Sequence, residues 1–263
     1  MKLTLVGAGA MGEALLTGWL AGGHAADDLT IVEPSPQRAA VIEETHGVRS
    51  VTLAEAGAAD VVVLAVKPHQ IDDVLSELSG DLQPSALVVS IAAGTPLKQL
   101  EDGLRHGTAV VRVMPNTPAL VGEGMAGIVR GSHVSDEQVA TVESLMNAVG
   151  KSVVVQEKHL DALTSVSGSG PAYLFYIAEA MIEGGVHQGL TRAEATELAV
   201  QTFVGSAKLL AESGKSATVL REMVTSPAGT TAAALRVLDD RGVRAAFLEA
   251  MEACVRRGQE MAG

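Results

Sequence analysis

The 263-residue chain carries 19 basic against 31 acidic side chains, a net charge of −12, and its Lys and Arg residues form no run or stripe. That balance argues against a nucleic-acid partner, and it obliges any anion site to be built locally, from backbone N–H groups or a few placed cations. Hydrophobic residues make up 47%, too many for a disordered chain and enough for one large or two modest packed domains. The opening "MKLTLVGAGAMG" is too short an apolar run for a signal peptide and breaks into glycines. No later run approaches the length of a membrane span. The single Cys254 cannot form an intrachain disulfide, and the seven histidines lie without partners at metal-ligand spacing. A cytoplasmic protein without a bound metal, and without a nucleic-acid or membrane partner, is the expectation.

Up to about residue 155, short β-branched runs alternate with helical stretches: strands at 2–6, 29–33, 61–66, 86–91, 109–114, 127–131 and 152–156, with helices between them at 10–22, 35–45, 71–79, 96–104 and 135–149. Several strands are apolar throughout, as strands covered on both faces are. This is the pattern of an α/β doubly wound sheet of Rossmann type. After 157 the chain turns all-α, with alanine-rich segments at 172–189, 192–213, 216–224 and 243–262 that are apolar on most sides. Such helices need partners on most sides. Two domains are therefore expected, 1–156 for a dinucleotide and 157–263 for substrate and dimerisation, the alternative being an unusually compact monomeric bundle.

"VGAGAMG" sets Gly7, Gly9 and Gly12 in G-x-G-x-x-G directly after the first strand and at the start of a helix. Gly7 permits the tight turn, Gly9 lets backbone approach a pyrophosphate and Gly12 lets helix pack on strand, with Ala8, Ala10 and Met11 completing the cradle at the helix N-terminus. Glu33 ends the second strand, about 20 residues on, where an acidic side chain bonds the ribose diol of NAD. Ser35 and Arg38 follow, and a hydroxyl with a guanidinium suits the 2′-phosphate of NADP. Coenzyme choice stays open. Ligands sit outside the carboxyl ends of the strands in open α/β sheets, so Ala65, Val66, Lys67 and Pro68 of "AVKP", Ala92, Ala93 and Gly94 of "SIAAG", and Asn116 with Thr117 of "RVMPNTPA" are candidates to line the ribose and nicotinamide.

Read together and in order, "GAGAMG", "AVKP", "SIAAG", "VMPNTPA", "SGSGPAY" at 167–173 and "TSPAGTT" at 225–231 closely resemble the pyrroline-5-carboxylate reductase family, over nearly the whole chain. The resemblance implies hydride transfer from NAD(P)H to the C=N bond of (S)-1-pyrroline-5-carboxylate to give L-proline, the last step of proline biosynthesis, by an oxidoreductase of the class acting on CH–NH donors. The family favours NADPH while Glu33 leaves NADH open. A helical half that interlocks with a second subunit is implied as well, often with five such dimers in a decamer.

In "TSPAGTT", Ser226 followed by Pro227 reads as a cap and first helical turn, leaving N–H groups at Gly229, Thr230 and Thr231 for a carboxylate. The resemblance makes that the substrate carboxylate, with the C=N bond facing the nicotinamide and the Thr231 hydroxyl placed to hydrogen-bond the ring nitrogen as the catalytic group. It also implies that Ser167, Ser169 and Gly170 line the substrate pocket and that Glu157 matches an acidic position near substrate. Lys67 is expected to face phosphate and Asp161 to be structural. Ala228 stands where the family shows glycine and Met223 where some relatives carry Asn; altered affinity is expected from both.

Two other readings compete. The β-hydroxyacid dehydrogenases join a similar Rossmann half to helices, but use a lysine followed four residues later by Asn on the helix that here reads "AYLFYIAEAMIEGG" and has neither. A non-catalytic NAD(P)H-binding redox sensor has no need of a carboxylate site such as "TSPAGTT".

Overall fold

A computed structural model describes residues 1–262. The chain runs through β1 (Leu3–Val6), α1 (Ala10–Ala21), β2 (Leu29–Val32), α2 (Pro36–His46), β3 (Arg49–Ser50), α3 (Leu53–Ala56), β4 (Val61–Leu64), α4 (Ile71–Leu78), β5 (Leu87–Ser90), α5 (Leu97–Asp102) and β6 (Ala109–Met114). It continues through β7 (Gly124–Arg130), α6 (Asp136–Asn147), β8 (Gly150–Val154), α7 (Leu160–Leu163), α8 (Gly170–His187), α9 (Arg192–Glu212), α10 (Ala217–Met223), α11 (Thr230–Asp240) and α12 (Val243–Ala262).

The strands form one sheet in the order β3-β2-β1-β4-β5-β6-β7-β8. Six run parallel, from β3 to β6. β7 then pairs antiparallel with β6, and β8 parallel with β7, so the last two strands reverse the expected direction. The reason is the connection: Thr117–Val121 is a single 3₁₀ turn, too short for the helical crossover that a parallel partner needs. β3 and α3 are further elements that the hydrophobic pattern passes over, although "TLAE" closes a capping box in which Thr52 accepts from Glu55 N–H.

Every residue of β1, β4 and β5 is buried, because side chains alternate between two cores. On one face Leu5, Ile31 and Val63 pack with Leu15, Leu16 and Trp19 of α1 and Met146 of α6; on the other Val62, Leu64 and Val88 pack with Leu75 of α4 and Leu100 of α5. The Trp19 indole donates to Leu145 O at 3.0 Å, so the one tryptophan is buried without an orphaned donor.

Two compact units divide the chain, one from Met1 to Ser169 rejoined by the chain from Cys254 onward, the other Gly170–Ala253. The sequence puts the boundary at 156/157. The first unit runs on through Ser169 because Leu160 is buried in the sheet's second core and Leu163 packs against it, over Gly127, where a Cβ would lie 2.5 Å from Leu163. In the second unit α8 and α9 pack together, with Gly185 opposite Ala195. Among its described residues only Ala195 and Ala199 are buried apolar side chains. Leu174, Phe175, Tyr176, Leu198, Val204 and Leu248 all stand more than half exposed. No described helix is long and apolar enough to cross a membrane.

Candidate active site

The parallel register brings the carboxyl ends of β2, β1, β4 and β5 to one edge and stitches them there. Gly7 N–H donates to Val32 O, Ala65 N–H to Val6 O and Ile91 N–H to Leu64 O, at 2.8 to 3.0 Å. The glycine loop, "AVKP" and "SIAAG" are thereby set side by side.

Each glycine of the first loop has a different physical reason. Gly7 sits at φ +95°, and a Cβ there would meet Ala65 O at 2.9 Å; Gly12 lies so close under Gly7 that a Cβ would be 2.3 Å from its carbonyl. Gly9 has nothing within 4 Å of the Cβ position, so it is the one open to a ligand. It also caps α1, whose first internal bond runs from Glu13 N–H to Gly9 O. The N–H groups of Ala10, Met11 and Gly12 therefore have no partner within the helix, and no side chain caps them. This cradle fits a pyrophosphate.

At the end of β2, both oxygens of Glu33 accept backbone N–H groups, Oε2 from Ala8 and Oε1 from Ser35, each at 3.0 Å. Ser35 caps α2 by accepting from Arg38 N–H. The Arg38 guanidinium turns back, donating from Nε to Ala8 O at 2.8 Å and from Nη2 to Glu13 at 2.5 Å. Glu13 is also 3.1 Å from the His46 ring, and the Arg38 hydrogen bond, then the His46 one, hold its carboxyl below the ordinary value. Glu13 gives no sign of this role in the sequence; only the fold brings it to Arg38.

The other candidates divide by how much of their polarity the protein itself uses. The loop after β5 is fixed by Ser90, whose buried hydroxyl accepts from Ala92 N–H, and it turns at Gly94 with φ +76°. Lys67, exposed, ends with its side chain outside this stitching, while its N–H donates to Gln70. Asn116 is buried, its amide donating to Ser167 O at 2.9 Å and its oxygen accepting from Met125 N–H at 2.8 Å. Glu157 accepts from Leu97 N–H at 2.7 Å and from the buried Arg112 at 2.8 Å, all on Oε1. Ser167 and Ser169 lie in and after a π-helical turn, Thr164–Gly168; Ser167 Oγ donates to Leu163 O, and Ser169 Oγ is 3.3 Å from Cys254 Sγ. Gly170 opens α8 with open space where a Cβ would be.

In the helical unit, "TSPAGTT" differs in detail from its sequence reading. Ser226 is not the helix cap and Pro227 is not its first residue: Gly229 N–H donates to Ser226 O at 3.0 Å, closing a turn with Pro227 second and Ala228 third. Ala228 has φ +58°, the single left-handed non-glycine among the described residues. Pro followed by a positive φ is the arrangement of a type II turn, whose third position favours glycine. The cap is Gly229, and the first internal bond of α11 runs from Ala233 N–H to Gly229 O. Gly229 N–H is therefore consumed, and the free donors are those of Thr230, Thr231 and Ala232. Among the described residues no cluster of three or more His, Cys, Asp or Glu is fit to hold a metal.

A Rossmann half with an uncapped glycine cradle, joined to a helical half, defines a dinucleotide-binding protein. Residues 157–261 match the family description "Pyrroline-5-carboxylate reductase dimerisation", and residues 2–94 match "NADP oxidoreductase coenzyme F420-dependent". The chain is 43% identical to pyrroline-5-carboxylate reductase of Corynebacterium melassecola, with 98% of each chain covered. It is 39% identical to that of Escherichia coli (strain K12), over 99% of this chain and 98% of the relative. Among solved structures, the Coxiella burnetii pyrroline-5-carboxylate reductase superposes with a TM-score of 0.95 at 36% identity, covering 100% of this chain and 98% of that one. The Plasmodium falciparum pyrroline carboxylate reductase, solved with NADP bound, gives 0.89 at 30% identity over the same shares.

The chain belongs to the pyrroline-5-carboxylate reductase family. Its activity is that of an NAD(P)-dependent reductase acting on a small molecule, and it works as a dimer at least.

Proposed function

We propose that the substrate, (S)-1-pyrroline-5-carboxylate, is held by its carboxylate on the N–H groups of Thr230, Thr231 and Ala232, with the Thr231 hydroxyl on the ring nitrogen. The observation that carries this is the uncapped start of α11 behind a turn that Gly229 N–H closes. It supplies an anion site without a cation, as a chain of net charge −12 requires.

The glycine cradle, Gly7 to Gly12, takes the pyrophosphate, with Lys67 beside it, and the small residues Ala65, Val66, Pro68, Ala92, Ala93 and Gly94 leave room for ribose and nicotinamide. The bound coenzyme supplies the hydride. The protonated imine is already electrophilic, so hydride addition at the imine carbon returns the C=N electron pair to nitrogen and needs no separate acid. Thr231 orients that nitrogen, which makes alignment the protein's main task. Asn116 and Glu157 hold the surrounding loops, Ser167, Ser169 and Gly170 the substrate side. The division of labour is a dinucleotide half, 1–156, and a substrate and dimerisation half, 157–263, in a cytoplasmic enzyme that assembles five dimers into a decamer.

Loss of nicotinamide absorbance with pyrroline-5-carboxylate tests this, with proline as the product recovered. Coenzyme binding without turnover on this or related cyclic imines would leave only a redox sensor.

A further inference from the structure

We infer that the adenosine end of the coenzyme site selects NADH over NADPH, through Glu33 and the Glu13–Arg38 pair. The inference rests on the dinucleotide reading of the glycine loop and goes beyond it. Both oxygens of Glu33 are tied to backbone, to Ala8 N–H in the glycine loop and to Ser35 N–H at the start of α2. A carboxylate held from two loops does not swing aside to admit a phosphate. Each oxygen keeps a second acceptor site, and two acceptors match the two hydroxyls of an unphosphorylated ribose.

The groups suited to a 2′-phosphate already have partners within the protein. Arg38 Nε serves Ala8 O, and Nη2 lies 2.5 Å from Glu13. The Ser35 hydroxyl accepts from Arg38 N–H and donates to Gln37 at 3.3 Å. Glu33, Glu13 and Arg38 together carry one net negative charge. A 2′-phosphate brought to this place meets a fixed carboxylate with its nearest guanidinium already paired, and like charges at contact distance oppose binding.

The test is equilibrium binding of each coenzyme to the full-length protein, followed by nicotinamide fluorescence without imine. NADH is expected to bind at least about tenfold more tightly than NADPH. Equal binding, or tighter NADPH, overturns the inference. Glu33→Gln keeps the size and one backbone acceptor but removes the charge, and is expected to narrow the ratio at least about fivefold; an unchanged ratio overturns the role of Glu33. Glu13→Gln leaves the Glu33 bonds intact and releases Arg38, so NADPH is expected to tighten while NADH holds; a parallel change in both overturns the pairing argument. Failure of both coenzymes to bind overturns the dinucleotide site, and the inference with it.

Discussion

Glu157 and Arg112 form an ion pair at 2.8 Å in which the same carboxylate oxygen also receives Leu97 N–H. Arg112 is 11% exposed and Glu157 38%, so the cation depends on this partner more than the anion does. The pair ties the start of α5, just past "SIAAG", to β6 and to the chain entering α7. Glu157→Ala is expected to cost about 1–2 kcal/mol, the loss of charged hydrogen bonds discounted for the exposed side, read as a lower denaturant midpoint. An unchanged midpoint with a raised KM for the imine would place Glu157 on substrate instead.

Thr231→Ala removes the hydroxyl from the ring nitrogen and leaves the N–H donors of α11 in place. Loss of one orienting hydrogen bond predicts kcat/KM lower by about 10- to 100-fold, with coenzyme affinity unchanged. If coenzyme binding falls in parallel, Thr231 acts on the fold and not on the imine.

Ala228, at φ +58°, pays for its methyl with left-handed strain of about 1–2 kcal/mol, part of which glycine would return as chain entropy. Ala228→Gly is therefore expected to leave stability equal or slightly higher and the KM for the imine equal or lower. Ala228→Val adds a β-branched side chain at the same φ, and a KM raised at least several-fold is expected. A higher KM in the glycine variant would mean that the Ala228 methyl itself contacts substrate.

How far the site was legible follows from how local each signal is. Gly7, Gly9 and Gly12 announce themselves because turn, approach and packing all fall within one short stretch, and the apolar runs give seven of the eight strands. β3, two residues long, has no period to detect. The direction of β7 depends on a 3₁₀ turn being short, which a strand pattern does not encode. The sequence leaves Arg38 open between a phosphate ligand and an ordinary helix residue, and its pairing with Glu13 shows only in the fold. Ser-Pro opens a capped helix and a type II turn alike, and the φ of Ala228 decides for the turn, with the helix starting at Thr230.

Glu13 links stability to pH. Its carboxyl is held below 4.5 by hydrogen bonds from Arg38 and then His46. A folded value below the unfolded one means stability that is present above 4.5 and lost as pH falls through the folded value. With Arg38 31% and Glu13 32% exposed, solvent screening holds the contribution to about 0.5 kcal/mol. Glu13→Gln is expected to lower the melting temperature slightly near neutral pH, with the gap closing in acid. A gap constant down to acid pH would trace the loss to packing.

The helical unit makes the final prediction. Ala195 and Ala199 are its only buried apolar side chains among the described residues, while Phe175, Tyr176, Val204 and Leu248 stand 56% to 75% exposed. Burying a large apolar side chain contributes about 1.5–3 kcal/mol, so these residues stabilise the unit only when a second copy covers them. Folding is then coupled to association, and the melting temperature is expected to rise with protein concentration. Charged substitutions at two such positions, Phe175→Glu with Leu248→Glu, are expected to abolish the dimer in sedimentation and to unfold the helices while leaving the Trp19 environment in the sheet unit native. A double variant that sediments as a folded monomer would show that the helical unit stands alone.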